Sequence, residues 1–200
     1  LWGIESRYGT NLGKFDILSS LASLSYEGRR KEFFLNQLMT TLRIIEDNDL
    51  TREYLKGSWA GAFGQTQFMP TTYQYYAVDF NNDGIKDLKN TSDALASGAN
   101  YLNKLGWKYS LEWGEEFFTQ RKIIKDLKTK KCKPLDFWLD LGFKPVKNYS
   151  SDTCFRILVP EKNKEKYFLV TSNFDLILKW NRSNFFALAV GTLSDKISGK

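Results

Sequence analysis

One carboxylate, Glu5, stands in the string Trp2-Gly3-Ile4-Glu5-Ser6-Arg7-Tyr8-Gly9, between an apolar run and a glycine-rich exit. Residues 57–70 form a second glycine- and aromatic-rich string, GSWAGAFGQTQFMP. Apolar surroundings keep a Glu protonated near neutral pH, and a protonated acid in an aromatic cleft is what sugar-cleaving chemistry requires. Trp2, Ile4 and Tyr8 are the neighbours that could desolvate Glu5. The plainer alternative is a solvated Glu at a helix end.

In the second string, Gly57, Ala60, Gly61 and Gly64 permit close approach of backbone to a ligand or to another helix. Gln65 and Gln67 carry amide donors and acceptors suited to sugar hydroxyl and N-acetyl groups. A tight helix crossing without any ligand explains the same small residues. A third string, Asp79-Phe80-Asn81-Asn82-Asp83-Gly84-Ile85-Lys86-Asp87, has the first half of an EF-hand loop. It places oxygen ligands at Asp79, Asn81 and Asp83, glycine at the sixth position and the Ile85 carbonyl at the seventh. Position twelve is Asn90 where a bidentate Glu is expected; Asp93 could supply the carboxylate from a longer loop. The competing reading is an Asx-rich turn with Asp93 as a helix N-cap. Trp180-Asn181-Arg182-Ser183 could line a saccharide subsite, or be core and cap. Arg29-Arg30 could hold an acidic ligand, or be a solvated face.

Composition narrows the chemistry. The chain has no His, which removes Ser-His-Asp and Cys-His catalysis, imidazole bases and His-ligated metals. No organic cofactor motif is present. The formal charge of +6 favours an anionic partner: nucleic acid, an acidic membrane surface or an acidic wall polymer. Lys and Arg are spread along the chain, with only short clusters such as Lys128–Lys131, so a nucleic-acid stripe is not expected. No apolar run is long enough to span a membrane. Cys132 and Cys154 form either one disulfide or two buried thiols. With 42% hydrophobic and 16% aromatic residues, 200 residues suffice for one large domain, or one with a small inserted lobe.

The elements that must position these residues follow from periodicity and punctuation. Residues 1–8 read as a helix end broken at Gly9–Gly13, and 17–24 as a short apolar segment. A long amphipathic helix is expected over 27–46 on Phe33, Phe34, Leu38, Leu42 and Ile45. Thr51 is a candidate N-cap, and Pro70 a breaker before a short helix from Thr71 or Thr72. Asp93 then caps a helix carrying Leu95, Ala99 and Leu102 and ending at Gly106. Residues 107–172 turn β-like, with strand composition at 154–159 and 167–170. Helix returns at 173–180 and at 184–197, the latter capped by Ser183 and apolar nearly all round. The fold class is α+β, mainly α, with a small β-containing lobe at 108–172 between parts 1–107 and 173–200.

In order and spacing, WGIESRYG, GRRKEFF, KGSWAGAFGQTQFMPTTY, AVDFNNDGIKDL, DALASGANYLNKLGW and NRSNFFALAVGTLSD resemble the lytic murein transglycosylase B family. The match spans about 1–107 and 173–198. The resemblance implies a lysozyme-like helical catalytic domain with an inserted β lobe. It implies cleavage of the β-1,4 bond between N-acetylmuramic acid (MurNAc) and N-acetylglucosamine (GlcNAc) without water, giving 1,6-anhydro ends. Glu5 aligns with the family's single acid/base, which works without the second carboxylate of ordinary glycosidases.

The resemblance also places Ser58 and Gln67 on sugars near the scissile bond, and Arg29 and Arg30 on the substrate's acidic groups. Tyr101 and Asn181 fall on cleft positions, and Trp180 and Phe186 stand where Tyr is expected. The loop of Asp79, Asn81, Asp83, Ile85 and Asp93 falls on a structural calcium site. The implied partner is the peptidoglycan glycan strand, met by a monomer in the bacterial periplasm or cell envelope. A chain opening in mid-motif is expected to be a processed or trimmed product, and the family has further helical structure before this Glu, which lends weight to an inactive module. A muramidase using water, or an inactive wall-binding module, are the alternatives.

Overall fold

A computed structural model describes residues 1–47, 50–117, 131–160 and 166–199, and the chain divides into two compact units, 1–104 and 105–200. Most of the Lys128–Lys131 cluster lies outside the described residues.

In the first unit, α1 (Trp2–Ser6) ends in three successive left-handed residues, Arg7, Tyr8 and Gly9. Strands β1 (Phe15–Asp16) and β2 (Lys56–Gly57) pair antiparallel. Helix α2 (Ile17–Glu27) starts at once because Asp16 caps it, its Oδ1 accepting the Ser19 amide at 2.8 Å. The anticipated long helix begins later than the apolar pattern suggested: Gly28 closes α2 in a left-handed turn, and α3 spans Lys31–Glu46.

The buried face of α3 is Phe34, Gln37, Thr40, Thr41 and Ile44, whereas Phe33 and Leu42 are exposed. The polar residues of this face are all bonded: Thr40 and Thr41 donate to the Asn36 and Gln37 carbonyls of the same helix, and Gln37 reaches a neighbour. Gln37 Oε1 accepts both the amide and the hydroxyl of Thr71 at 3.1 Å, fixing the start of α4 (Pro70–Tyr76). Pro70 therefore opens this helix, at a position where its missing N–H costs nothing. Thr51 caps no helix; its hydroxyl accepts the Tyr54 amide in a turn.

Helix α5 (Thr91–Lys104) is capped by Asn90, whose Oδ1 accepts the Ser92 and Asp93 amides at 2.9 and 3.4 Å. Asp93 is thus released from the capping role expected of it. The buried face of α5 is Asp93, Ala94, Ser97 and Gly98, while Leu95 and Ala99 are exposed. Small residues let the helix lie close, and Ser97 Oγ accepts the Val78 amide at 3.0 Å.

The second unit is built on an antiparallel sheet ordered β3 (Gly114–Phe117), β6 (Tyr167–Val170), β5 (Cys154–Leu158) and β4 (Lys133–Pro134). With α6 (Leu135–Asp140) it encloses a core of Phe117, Leu135, Trp138, Phe143, Phe155 and Leu169. Cys132 and Cys154 are joined in a disulfide beside the β4–β5 pairing, which settles the choice left open by their spacing. Helices α7 (Ser172–Trp180) and α8 (Asn184–Ser198) complete the unit, α8 capped by Ser183 as expected. Only one face of α8 is buried, on Ala187, Leu188, Val190 and Gly191; Phe185 and Ile197 are exposed. Lys147 bonds Asp195 of α8 and the Gly114 carbonyl, each at 2.8 Å, while Glu115 accepts the Val146 and Lys147 amides.

The crosslink spans 22 residues of sequence, and closing such a loop in the unfolded chain stabilises by about 3 kcal/mol. A Cys132→Ser, Cys154→Ser variant is expected to lose that amount in urea unfolding, and no loss would contradict it. The Ser19 amide bond holds the Asp16 carboxyl below its usual range, so its capping contribution is present above the unfolded carboxylate pKa and lost as pH falls through the lowered folded value. Asp16→Ala is expected to cost about 1 kcal/mol at neutral pH. The difference from wild type should shrink toward zero on acidification; a constant difference would refute the assignment.

Candidate active site and acidic loop

Glu5 is half-buried on α1, with its amide bonded to the Leu1 carbonyl at 2.8 Å. Five residues are too few to hold a helix by backbone bonds alone, so the surroundings fix this turn. Ser6 is buried; its hydroxyl donates to the Trp2 carbonyl at 3.2 Å and accepts the Gly9 amide at 3.0 Å. Trp2 and Tyr8 pack edge to face with ring centroids 5.3 Å apart. The apolar wrapping suggested for Glu5 is only partial, since Ile4 is 40% and Tyr8 48% exposed.

The 57–69 segment is a pair of tight turns rather than a helix crossing. Ser58 N donates to the Ala62 carbonyl at 2.8 Å and Ser58 Oγ accepts the Ala62 amide at 3.1 Å. This loop presents Trp59, 64% exposed, at its tip. Phe63 and Phe68 exchange backbone bonds at 2.9 and 3.0 Å and close a second loop over 64–67. Gly64 sits there at φ 73°, with the Leu88 Cβ 2.3 Å from where a side chain would begin. No side chain but hydrogen fits.

The two glutamines part company. Gln67, half-buried at φ 49°, uses its NH2 group on the Leu12 and Gly64 carbonyls at 3.2 and 2.9 Å. Its carbonyl oxygen remains the atom that could accept from a sugar. Gln65 is 4% exposed and bonded within the protein, so it is not the sugar contact its type suggested.

Other predicted residues lie on separate elements. Arg29 and Arg30 are exposed in the α2–α3 turn, with the Arg30 guanidinium 4.0 Å over the Phe33 ring. Tyr101 on α5 packs against Phe68 and Tyr76 at centroid distances of 5.9 and 4.8 Å, and burial raises its pKa. In the second unit, Asn181 Oδ1 accepts the Ser183 amide at 3.0 Å, while Trp180 and Phe186 are half-buried.

The acidic loop brings ligand atoms of Asp79, Asp83 and Asp93 within 4.8 Å of one another. Asp93 is fully buried and accepts the Phe80 and Asn81 amides on Oδ1 and the Asp87 amide on Oδ2. Asp79 accepts the Asp83 and Gly84 amides, and Asn81 bonds Asp83 in both directions. Ile85 donates its amide to Asp83 Oδ1 at 2.9 Å. Three carboxylates with amide and carbonyl oxygens between them are a hard donor set, which fits calcium. Asn90, at the twelfth position, is occupied as the α5 cap. The loop is anchored by Tyr54, whose hydroxyl donates to Asp87 and accepts the Lys89 amide. Burial, with Asp87 alongside, raises the Tyr54 pKa and keeps that proton in place.

The chain is 33% identical over 207 aligned positions to the membrane-bound lytic murein transglycosylase B of Escherichia coli (strain K12), covering 98% of this chain and 55% of the relative. The chain thus spans about half the length of that protein. SltB3 from Pseudomonas aeruginosa, solved in complex with NAG-NAM-pentapeptide and with NAG-anhNAM-pentapeptide, superposes with a TM-score of 0.92 at 42% identity. The two alignments cover 100% and 99% of this chain and 55% of that one. The Escherichia coli lytic transglycosylase Slt35, solved in complex with calcium, gives a TM-score of 0.81 at 31% identity over 98% of this chain and 64% of that one. The fold is therefore the mainly helical, lysozyme-like α+β fold that the motif resemblance implied. The family described as Transglycosylase SLT domain matches residues 1–195, and the chain belongs to it.

Proposed function

We infer that this chain is a peptidoglycan lytic transglycosylase with Glu5 as its single acid/base. The observation that carries the reading is Glu5 itself: a half-buried carboxylate on a turn held in place by Trp2, Ser6 and Tyr8, inside the matched family region. Neither α1 nor the 57–69 segment contains another Asp or Glu, which suits a one-carboxylate mechanism.

Protonated Glu5 gives its proton to the glycosidic oxygen as the bond from MurNAc C1 to GlcNAc O4 breaks. The muramic C6 hydroxyl then bonds to C1, and the carboxylate takes the hydroxyl proton. Atoms balance without water: one chain becomes a GlcNAc end and a 1,6-anhydro-MurNAc end, and Glu5 is again protonated. The substrate's own N-acetyl oxygen stabilises the electron-poor C1. The anhydro ligand bound by the Pseudomonas relative supports this product.

Ser58 Oγ and Gln67 Oε1 are assigned to sugar polar groups, Arg29 and Arg30 to stem carboxylates, and Tyr101 to a cleft wall. In the 105–200 unit, Trp180, Asn181 and Phe186 are assigned glycan contacts. The site of action is the bacterial cell envelope. Among the described residues no helix is long and apolar enough to cross a membrane.

Calcium is assigned a structural role in the 79–93 loop, held by Asp79, Asp83 and Asp93 with the Asn81 side chain and the Ile85 carbonyl. When bound it offsets the repulsion among the three carboxylates.

Glu5→Gln is expected to lower release of anhydromuropeptides from purified sacculi by about 10²–10⁴-fold, with muropeptide binding kept. Equal release by the variant would sink the reading, and products heavier by one water would show hydrolysis instead. For the metal, calcium at a hundredfold excess over its Kd should add about 2.7 kcal/mol, a rise of about 5–10 °C in Tm. A chelator should reverse it and Asp79→Asn should weaken it; an unchanged Tm refutes calcium binding.

A further inference from the structure

Gln65 is the residue that the 57–70 motif singled out and that the proposed reaction does not use. Its carboxamide is 4% exposed, and its three polar contacts join two distant parts of the first unit. Oε1 accepts the Trp2 indole N–H at 2.7 Å, across 63 residues of sequence. Nε2 donates to the Lys89 carbonyl at 2.6 Å and to Thr91 Oγ1 at 3.1 Å, where α5 begins. The amide can be placed only one way. Rotating it by half a turn would set its NH2 group against the indole N–H and its oxygen against the Lys89 carbonyl.

The same oxygen also packs against the exit of α1. A Cβ on Gly9 would stand 2.5 Å from Gln65 Oε1, and Gly9 adopts φ 83°, so the chain passes over the carboxamide only because residue 9 is glycine. Gln65 therefore touches the turn of Glu5 on both sides, at Trp2 three residues before it and at Gly9 four residues after. Ser6 and the Trp2–Tyr8 contact brace this turn locally, but α1 has only five residues, and its exit runs through left-handed Arg7 and Tyr8, a backbone state that costs non-glycine residues about 1–2 kcal/mol each.

The geometry points to Gln65 as the positioning residue for Glu5: its buried carboxamide sets the orientation of α1 by clamping Trp2 and Gly9 to the fixed start of α5. The inference rests on the proposed role of Glu5 and adds what holds that carboxylate on the glycosidic oxygen. A general acid displaced by about 1 Å loses about 10²-fold in rate, whereas glycan binding elsewhere is unaffected. The signature is a loss in kcat with KM kept.

The test uses Gln65→Met, which keeps length and apolar volume but removes all three bonds, and Trp2→Phe, which keeps an aromatic ring at position 2 and removes the indole donor. Each is assayed well below its Tm on defined muropeptide oligomers, with amide hydrogen exchange followed in parallel by NMR. The inference expects kcat lowered about ten- to a hundredfold in Gln65→Met with KM within twofold. It expects less than a twofold further effect when Trp2→Phe is added to Gln65→Met. It also expects faster exchange at the Glu5 and Arg7 amides with α3 amides unchanged. Unchanged kcat together with unchanged Glu5 and Arg7 exchange overturns it, as does exchange that rises equally in α3. If Gln65→Met does not fold, Trp2→Phe alone decides by the same two readouts. If the wild-type chain forms no anhydro product, the catalytic reading fails, while the exchange data still decide whether Gln65 fixes the turn.

Discussion

A helix of one and a half turns cannot hold a carboxylate still, and the first unit is organised around that constraint. The backbone bonds of α1 start at Glu5, whose amide reaches Leu1, and its exit is left-handed at three residues in a row. Burial of apolar area alone would not fix such a piece, because a hydrophobic contact has no direction. Directional contacts supply what is missing. Ser6 staples the turn to itself, and the Trp2 indole and Gly9 meet a carboxamide that is itself tied to α5. That carboxamide reaches α5 through the Lys89 carbonyl and the Thr91 hydroxyl.

This explains why the helices of the first unit use polar residues where a periodic reading looks for Leu and Phe. Gln37, Thr40 and Thr41 on α3, and Asp93 and Ser97 on α5, are all buried. Three of them satisfy a neighbour's backbone: Gln37 the start of α4, Ser97 the Val78 amide, Asp93 three amides of the acidic loop; Thr40 and Thr41 donate back to the Asn36 and Gln37 carbonyls of α3 itself. A short polar side chain that accepts a neighbour's N–H allows closer approach than a branched apolar one, and removes the cost of an unpaired buried amide. Apolar periodicity locates such helices but marks their buried face only in part: Phe34 is buried and Leu38, Ile45 and Leu102 half-buried, while Leu42 and Leu95 are exposed.

The legible parts of the sequence were those governed by local chemistry. Ser183 was readable as a cap because capping depends on one side chain and the amide three residues on. The β character of 154–158 and 167–170 was readable from composition, and the acidic loop from the spacing of its oxygens. Glu5 itself stood out through its string and through the absence of His. The roles of Gln65 and Asn90 were not readable, since each depends on which distant backbone group comes within reach. An amide in a glycine-rich motif looks like a ligand contact until Trp2, 63 residues earlier, is found against it.

The pairing of Gln65 with Gln67 shows how one segment divides support from recognition. Two residues apart in a turn closed by Phe63 and Phe68, they point to different surroundings. Gln65 is sealed and its hydrogen-bonding capacity is spent inside the protein. Gln67, forced to φ 49°, anchors its NH2 group on backbone carbonyls and keeps an oxygen available. Rigid support and an open acceptor require opposite degrees of burial, which no single side chain can supply. The strained turn at Gly64–Gln67 is what allows the chain to reverse the direction of its side chains within two residues. The glycine-rich motif is therefore a backbone requirement first, and the candidate chemistry at Ser58 and Gln67 is built on the turns that those glycines permit.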